Sequence, residues 1–469
     1  MKVLLINAPY REVYEEIGES VGSYLPLGIA YIAAVLRNAG HSVKCVDFDR
    51  ENFSNKNLLK SLNGIDVIGV SFATANAPMA YKISEMIKNH DPSIACIAGG
   101  VHASAVPEHV LKNSKFDYVI RGEGEFIINE LIENLENGME LSEIKGISYW
   151  KGDKVVSNPS SKLVDDLNVL SYPARDLFKF REYKPHPYIP NSDKSATVLT
   201  SRGCPFKCIF CAANVVHGRG YRVRSIENVI AEIEFLKENY NVKRICFADD
   251  EFTLNRKRTI ELCNSIIESE IEIKWTCFSR VTDVDPKLLN TMKEAGCDLI
   301  LYGVESGNER LLKSMKKSIT LKDSINAIKW TNNADIISIA TFILGLPEET
   351  RNSIMETINF SKKLNPTLAF FNIAIPLPGS ELHEIAVKNN WLNSGDLSAF
   401  TAFSSKEVYH PPHIPVEELR KLTIQAHYEF YLRSRIVHSI LKHYSTREIH
   451  ALFKGYLNLQ KQSELITKA

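Results

Sequence analysis

The chain has 469 residues, of which 44% are hydrophobic, so it is long enough for about two to four domains with sizeable cores. Lysine plus arginine and aspartate plus glutamate each total 56, and this zero formal net charge argues against a nucleic-acid-binding protein. The opening residues, MKVLLINAPY, lack the features of a secretory signal, and no run of about 18 apolar residues occurs. We therefore expect a cytoplasmic protein without a transmembrane segment.

Short apolar segments alternate with helical patterns in the first part of the chain. Helices are predicted at 27–39, where Gly40 ends the pattern, and at 78–88. This rhythm is typical of a parallel sheet covered on both faces, and it predicts a doubly wound, Rossmann-like α/β domain over residues 1–140. Ligands of such a domain bind beyond the carboxyl ends of its strands. The predicted strands are 3–6, 43–46, 67–71, 94–98 and 118–120.

Prolines interrupt this rhythm over residues 141–193, which we interpret as a linker with a small hairpin at 147–155. The alternation then resumes, with Asp285 and Pro286 as the predicted start of one helix. This pattern predicts a partial (β/α)6 barrel over 194–385, with its chemistry at the carboxyl ends of the strands, followed by a mostly helical region over 386–469. The predicted barrel strands are 196–200, 244–248, 274–278, 299–303, 337–344 and 369–375.

Three of the nine cysteines are clustered directly after the first barrel strand. Cys204, Cys208 and Cys211 have the spacing C-x3-C-x2-C, whereas the other six are scattered among apolar neighbours as expected of buried core thiols. Three close thiolates can hold three corners of a 4Fe–4S cube and leave one iron open. The alternative is a structural zinc site with His217 as fourth ligand. The strand-end position favours the cluster.

This cysteine motif after the first strand of a six-unit barrel resembles the radical S-adenosylmethionine superfamily. The resemblance implies Cys204, Cys208 and Cys211 as cluster ligands and Phe210 as the aromatic residue beside the adenine. It further implies that the methionyl amine and carboxylate bind the open iron. One electron, from a donor of the flavodoxin or ferredoxin type, then yields methionine and a 5′-deoxyadenosyl radical.

Other predicted strand ends resemble the superfamily's S-adenosylmethionine contacts. The fifth strand carries 341–348, TFILGLPE, similar to the family's G-x-I-x-G-x-x-E adenine motif but with Thr341 in place of its first glycine. Each of these positions also has an ordinary structural alternative, namely a solvent-exposed helix cap for Asp249 and Asp250, a surface ion pair for Arg280 and a plain core strand for 341–348. The contacts implied by the resemblance are Asp249 and Asp250 for the methionyl ammonium, Arg280 for its carboxylate, Glu305 or Ser306 for the ribose or amino-acid part, and Ile343 for the adenine.

Segments 25–31, 69–74, 98–103 and 121–125 resemble the cobalamin-binding domain that precedes the barrel in one large class of these enzymes. Small residues would leave room for a flat corrin ring, and hydroxyl groups would bond its amides. No histidine lies in the D-x-H-x-x-G pattern of corrinoid carriers, so that motif supplies no imidazole to cobalt. The alternatives are an ordinary docking domain and, for His102, a structural histidine. The implied cobalamin contacts are Leu27, Gly28, Ser71, Thr74, Asn76, Gly99, Gly100, His102, Gly122, Glu123 and Glu125.

Together the two resemblances imply a cobalamin-dependent radical S-adenosylmethionine enzyme, with a methyltransferase acting on an unactivated carbon as the leading reaction. One S-adenosylmethionine would methylate cobalamin, a second would give the radical, and the substrate radical would take methyl from methylcobalamin. Two alternatives stay open. One is a radical cyclase or oxidoreductase with the same cofactors, like the anaerobic magnesium-porphyrin ester cyclases, and the other is a non-catalytic iron–sulfur or corrinoid-binding module. The substrate is expected to be a small molecule or a peptide.

Overall fold

Two mainly parallel sheets organise the chain in the computed structural model, which describes residues 1–10, 22–51, 53–393, 395–401 and 407–452. The first sheet has the strand order β2-β1-β3-β4-β5-β6-β7, with β1 to β5 parallel and the last two antiparallel. Its strands are β1 Lys2–Asn7, β2 Ser42–Asp47, β3 Val67–Ser71, β4 Ala95–Gly99, β5 Tyr118–Ile120, β6 Ile147–Lys151 and β7 Lys154–Ser157.

Helices cover both faces of this sheet. Val3, Leu4, Leu5 and Ile6 of β1 are all buried, as expected when a parallel strand is enclosed from both sides. The predicted doubly wound α/β fold is confirmed. The helices are α1 Leu27–Asn38, α2 Asn55–Ser61, α3 Ala77–His90, α4 Val101–Ala105, α5 Pro107–Asn113 and α6 Glu125–Asn137.

The second sheet is the predicted partial barrel. Its order is β15-β14-β13-β12-β11-β8, all parallel, while β9 and β10 form a separate antiparallel pair. The strands are β8 Ser195–Val198, β9 Ser201–Arg202, β10 Arg222–Val223, β11 Arg244–Phe247, β12 Lys274–Ser279, β13 Cys297–Glu305, β14 Ile337–Leu344 and β15 Leu368–Ile373.

Local sequence signals explain where several barrel helices begin. Asp285 accepts a hydrogen bond from the Leu288 amide and Pro286 is the first helical residue of α10, as the sequence predicts. The helices in this half are α7 Asn214–His217, α8 Ile226–Tyr240, α9 Arg256–Glu268, α10 Pro286–Glu294, α11 Glu309–Ser314, α12 Leu321–Asn333, α13 Arg351–Leu364 and α14 Glu381–Lys388. Two further helices, α15 Val416–Tyr431 and α16 Ser434–His443, follow the barrel.

The C-terminal helix α15 covers the edge strand of the barrel. The Tyr431 hydroxyl donates to the Ala369 carbonyl of β15 at 2.8 Å and lies 3.2 Å from the Ala369 amide. The end of the region predicted to be helical, residues 453–469, lies outside the described residues. Among the described residues, no helix combines the length and apolar character needed to span a bilayer.

The hairpin predicted inside the linker is not a separate element but part of the first sheet. Its strands β6 and β7 extend the first sheet, because β6 pairs antiparallel with β5 from Ile147 opposite Ile120 to Tyr149 opposite Tyr118. Residues after Ser157 then lead to the barrel through short 3-10 turns. The domain boundaries at 140, 193 and 385 stay predictions.

Candidate active site

The cysteine loop lies between β9 and β10, at the carboxyl end of the first barrel strand. The two short strands pair Arg202 with Arg222 and so close the base of the loop. Gly203 has φ of 86°, and a Cβ there would overlap the Gly220 carbonyl, so glycine is required for this close approach. The sequence and the loop closure together bring the three cysteines to one end of the barrel.

The three cysteine thiols are partly exposed and lie near one another. The Ala213 amide donates to the Cys211 sulfur at 3.4 Å. Burial, with smaller contributions from the neighbouring Asp250 and Cys211, raises the pKa of the Cys204 thiol to about 11. A raised pKa keeps the free thiol protonated, and a bound, positively charged iron centre would stabilise the thiolate instead.

The zinc alternative requires ligands that converge on a single ion. Among the described residues, no three or more His, Cys, Asp or Glu side chains converge as a single-ion site would require. A cubane instead takes each thiolate on a different corner. His217, the fourth ligand in the zinc alternative, has its Nδ1 hydrogen-bonded to Glu123 at 2.9 Å.

The two aspartates after β11 have different environments. Asp249 is 1% exposed and accepts hydrogen bonds from the Thr200 amide at 2.7 Å and the Ser201 hydroxyl at 2.6 Å, so it fixes the turn before the cysteine loop. Burial raises the pKa of Asp249. Asp250 is exposed and lines a cavity in the barrel mouth, so it is the aspartate available to a ligand. The helix-cap alternative is wrong, since Asn255 caps α9.

Arg280 packs against Phe206 of the cysteine loop. Its side chain is buried, with the guanidinium carbon 3.5 Å from the ring centroid of Phe206, and it donates to the carbonyls of Lys317 and Ser318. The surface-ion-pair alternative is therefore wrong. Arg280 does not line the cavity in the barrel mouth, and its predicted contact with the methionyl carboxylate stays a prediction.

Glu305 and Lys317 form a buried ion pair beside the loop. Lys317 Nζ lies 2.8 Å from Glu305 Oε1 and 6.0 Å from the ring centroid of Phe210. A Cβ at Gly303 would lie 2.6 Å from that Nζ and overlap the Glu305 carboxylate, which explains the glycine. Lys317 has no motif around it that would have pointed to it in the sequence. Ser306, in contrast, is fully buried, and its hydroxyl lies 3.2 Å from the Thr357 hydroxyl.

The turn after β14 is held by Glu349. Its Oε2 accepts hydrogen bonds from the amides of Gly345 at 2.6 Å and Leu346 at 3.1 Å. The preceding Glu348, which aligns with the acidic residue of the adenine motif, is exposed. The carboxylate that holds this turn therefore comes one residue after the glutamate of the motif, and Ile343, the predicted adenine contact, is partly exposed on the strand.

A cavity of about 440 Å³ opens between the barrel strands and the start of α1, and both halves of the chain line it. Most of its wall is apolar, and the polar side chains on it include Ser201, His217 and Asp250. The apolar wall includes Leu25 and Leu27 from the first half, and Leu199, Phe278 and Leu301 from the barrel. Its wall thus includes Leu27, a predicted cobalamin contact, and Asp250, a predicted S-adenosylmethionine contact.

Several predicted cobalamin contacts lie at the carboxyl ends of the first sheet. Ser71 and Gly99 end β3 and β4 and are partly exposed, and Gly28 is exposed in the first turn of α1 with no atom within 4 Å of a Cβ placed there. Open space beside small residues suits a large flat ring. Gly100 has a different reason for being glycine, because its φ is 93° and a Cβ would lie 2.6 Å from the Phe72 carbonyl.

Three other predicted contacts face the interior of the domain. His102 Nδ1 lies 3.0 Å from the Thr74 hydroxyl and Nε2 lies 3.1 Å from the Tyr81 hydroxyl. Burial lowers the pKa of His102 to about 4, so the ring is neutral at physiological pH, as in the structural-histidine alternative. Asn76 donates to the Ala8 carbonyl at 2.9 Å and accepts from the Ala73 amide, which ties β1 to β3.

The remaining predicted cobalamin contacts, Gly122, Glu123 and Glu125, lie in and after the turn between β5 and α6. Gly122 has φ of 78° and begins the turn into α6. Glu123 and Glu125 are buried, and both pair with Arg202 of the barrel, at 3.3 and 2.6 Å. They therefore join the two halves of the chain instead of facing open space.

Comparisons with known proteins match both halves separately. The family model described as Radical SAM superfamily matches residues 198–361, and the B12 binding domain model matches residues 17–132. An uncharacterized methyltransferase of Pyrococcus horikoshii is 34% identical over 97% of this chain and 99% of its own length. An anaerobic magnesium-protoporphyrin IX monomethyl ester cyclase of Rubrivivax gelatinosus is 30% identical over 82% of this chain and 70% of its length.

Two solved structures share the whole architecture. The radical S-adenosylmethionine methyltransferase TsrM from Kitasatospora setae, with cobalamin and a 4Fe–4S cluster bound, superposes with a TM-score of 0.75 at 15% identity and covers 99% of both chains. The cobalamin-dependent S-adenosylmethionine radical enzyme OxsB gives a TM-score of 0.75 at 20% identity, covering 99% of this chain and 71% of that one. At these identities the likeness concerns the fold.

Proposed function

We propose that this chain, which belongs to the radical S-adenosylmethionine superfamily and carries a B12-binding domain, transfers a methyl group to an unactivated carbon of its substrate. Its two domains make a 4Fe–4S cluster, S-adenosylmethionine and cobalamin the cofactors of the chain. The observation that carries the proposal is the cavity lined by both domains beside the cysteine loop.

The bound cofactors supply the hard chemistry, which is a 5′-deoxyadenosyl radical from the barrel and a methyl group from cobalamin. Cys204, Cys208 and Cys211 would hold the cluster. Asp250, exposed to the cavity, would accept hydrogen bonds from the methionyl ammonium. Gly28, Ser71 and Gly99 would make room for and bond the corrin ring, and these residues are partly or fully exposed at the sheet's carboxyl edge.

The remaining residues of the mouth would control water and orientation. Leu25 and Leu27 from one domain face Leu199 and Phe278 from the other, and this apolar enclosure would keep water from a reactive carbon radical. The buried Lys317–Glu305 pair stands beside Phe210 and would orient the polar part of S-adenosylmethionine.

A methyltransferase relative at 34% identity supports methylation, whereas the cyclase relative at 30% identity supports radical ring closure or oxidation as the second candidate. The two share the cofactors and differ in the fate of the methyl group. The substrate itself is not encoded by any recognisable motif of the mouth.

The deciding experiment uses S-adenosylmethionine with a trideuterated methyl group. Anaerobically reconstituted protein is incubated with reductant, cobalamin and a metabolite and peptide extract from cells that lack the gene, and products are examined by untargeted mass spectrometry. We expect a product that carries the deuterated methyl group and 5′-deoxyadenosine alongside it. A variant with all three cluster cysteines changed to alanine is the control and should give neither.

A substrate consumed together with 5′-deoxyadenosine formation, but without label in its product, would replace methylation by the radical cyclase or oxidoreductase. Absence of S-adenosylmethionine cleavage with every extract would argue for the non-catalytic alternative.

A further inference from the structure

A single carboxylate of the first domain contacts both ends of the cysteine loop. Glu123 lies in the turn between β5 and α6, and its side chain is 1% exposed. Its partners are Arg202, which precedes Cys204 by two residues, and His217 and Arg222, which follow Cys211. The contacts therefore flank the loop on both sides.

The geometry of these contacts is specific. Arg222 makes a two-pronged contact, with one nitrogen 2.8 Å from Glu123 Oε2 and the other 2.9 Å from Oε1. His217 Nδ1 lies 2.9 Å from Oε1, and the Val164 amide donates to Oε2 at 2.8 Å. A bidentate guanidinium–carboxylate pair fixes both distance and angle, which a lysine could not do.

The carboxylate also balances charge at the base of the loop. Pairing of β9 with β10 sets the buried Arg202 and the partly buried Arg222 opposite one another, and two cations so placed repel unless an anion lies between them. Glu123 contacts both, and Glu125 adds a second anion 2.6 Å from Arg202. Burial alone would raise the pKa of Glu123, but hydrogen bonds from His217, Arg222 and Val164 and the charge of Arg202 lower it, so the group is ionised.

We propose that Glu123 is a positioning residue through which the B12-binding domain fixes the conformation of the cysteine loop, and with it the geometry at which S-adenosylmethionine binds the cluster. This inference rests on the proposed role of the three cysteines and is independent of methyl transfer. The first domain then has two tasks, to hold cobalamin and to shape the neighbouring iron site.

A purely structural role for Glu123 would predict a different result. Loss of a buried ion pair at a domain interface would lower the unfolding temperature and leave the spectroscopy of the cluster unchanged. A positioning role predicts a change at the cluster, either an altered spectrum or a loss of iron, in protein that still retains cobalamin.

The test compares Glu123→Gln, which keeps the size and loses the charge, with the matched control Glu130→Gln, an exposed glutamate of α6 in the same domain. Both proteins are purified and reconstituted anaerobically as full chains. Iron content, cobalamin absorbance, the electron paramagnetic resonance spectrum of the dithionite-reduced cluster with and without S-adenosylmethionine, and 5′-deoxyadenosine formation are measured without added substrate.

We expect Glu123→Gln to retain cobalamin, to show a weakened spectral change on addition of S-adenosylmethionine, and to form 5′-deoxyadenosine about tenfold or more slowly, the scale expected from a small misplacement of reacting groups. Loss of iron alone, with cobalamin kept, would also support the proposal. A spectrum and cleavage rate equal to those of Glu130→Gln would overturn it.

If Glu123→Gln loses both iron and cobalamin, a second variant, Arg222→Lys, decides between the positioning role and the structural role. That variant keeps the charge and loses the two-pronged contact. Reduced cleavage of S-adenosylmethionine with both cofactors retained supports positioning, and unaltered cleavage or a general loss of cofactors overturns it. None of these readouts uses the substrate, so a failure of the methylation proposal would be recognised separately.

Discussion

Glu349 shows how burial changes the chemistry of one side chain. It is 1% exposed, and burial raises the pKa of its carboxyl from the ordinary 4.5 to about 7, although the amides of Leu346 and Gly345 counteract the shift. The unfolded chain loses this proton near pH 4.5, whereas the native chain holds it until about pH 7. Between these values the native state binds more protons, so the free energy of unfolding falls as pH rises.

We therefore expect Glu349→Gln to remove this pH dependence. Glutamine can accept the same amide hydrogen bonds, and it has no ionisation to suppress. Relative to the unaltered protein, the variant should gain about 3 kcal/mol of unfolding free energy between pH 5 and pH 8, measured by urea denaturation at both values. A constant difference between the two proteins across this range would contradict the assignment.

Gly28 offers a test of the cobalamin site that separates binding from folding. No atom lies within 4 Å of a side chain added there, so Gly28→Leu should leave the unfolding temperature of the apoprotein unchanged or raised. If the corrin ring lies over this turn, cobalamin retention should fall by about tenfold, as a steric overlap of 1–3 kcal/mol implies.

The matched control for Gly28→Leu is Ala39→Leu, which adds the same apolar bulk to an exposed residue just after α1. Cobalamin absorbance after gel filtration measures retention. Equal retention by both variants would place the ring elsewhere along the sheet edge.

At the scale of elements, α15 matters because it closes the edge of the barrel. Phe430 on this helix is fully buried, and its ring lies 6.4 Å from that of Phe371 on β15. Leu432, two residues later, is 76% exposed. The same helix end thus contains a core residue and a solvent-facing one of comparable size.

We expect Phe430→Ala to lower the free energy of unfolding by about 3–5 kcal/mol, because it leaves a cavity between α15 and the sheet. Leu432→Ala should change it by less than about 0.5 kcal/mol. Urea denaturation of the two variants in parallel provides the measurement. Similar values for both would mean that α15 contributes little to the stability of the barrel.

Elements could be predicted from the sequence where the signal is local. The strands at 67–71 and 118–120 have the predicted bounds, because runs of apolar residues flanked by turn residues depend only on neighbours in the chain. The place of the hairpin β6–β7 was not predictable in this way, since joining the first sheet depends on pairing with β5. Pairing partners are a property of tertiary structure.

The residues of the site likewise separate into those with a local sequence signal and those whose contacts depend on tertiary structure. The cysteine spacing and the strand-end carboxylates are local patterns, and the family resemblance to which they led is confirmed by the comparisons. The sequence predicts Glu123 and Glu125 as cobalamin contacts, whereas the structure pairs both with Arg202 of the other domain, which no local pattern indicates. Lys317 carried no signal, because a lysine after a helix is ordinary until folding buries it beside Glu305.

At the scale of the whole molecule, the residues proposed for the two cofactor sites lie on different sheets. The cysteine loop belongs to the barrel, and the residues proposed to hold cobalamin belong to the first sheet. Binding of one cofactor should therefore survive loss of the other site.

We predict that simultaneous Cys204→Ala, Cys208→Ala and Cys211→Ala substitution abolishes iron binding and leaves cobalamin content unchanged. Metal analysis and the cobalamin absorbance spectrum after anaerobic reconstitution give the two readings. Cys45→Ala, at a partly exposed cysteine of the first sheet, is the control and should retain both cofactors. Loss of cobalamin from the triple variant would show that the two sites depend on one another.

The buried contacts of Glu123 with Arg202 and Arg222 also limit how such enzymes can be recombined. In a chimera that takes its first 140 residues from one relative and its barrel from another, the carboxylate and the two guanidinium groups would come from different proteins. Mismatch there would leave an unneutralised charge in the interior, at a cost of about 3–5 kcal/mol. Engineers who exchange these modules should therefore transfer both sides of the contact together.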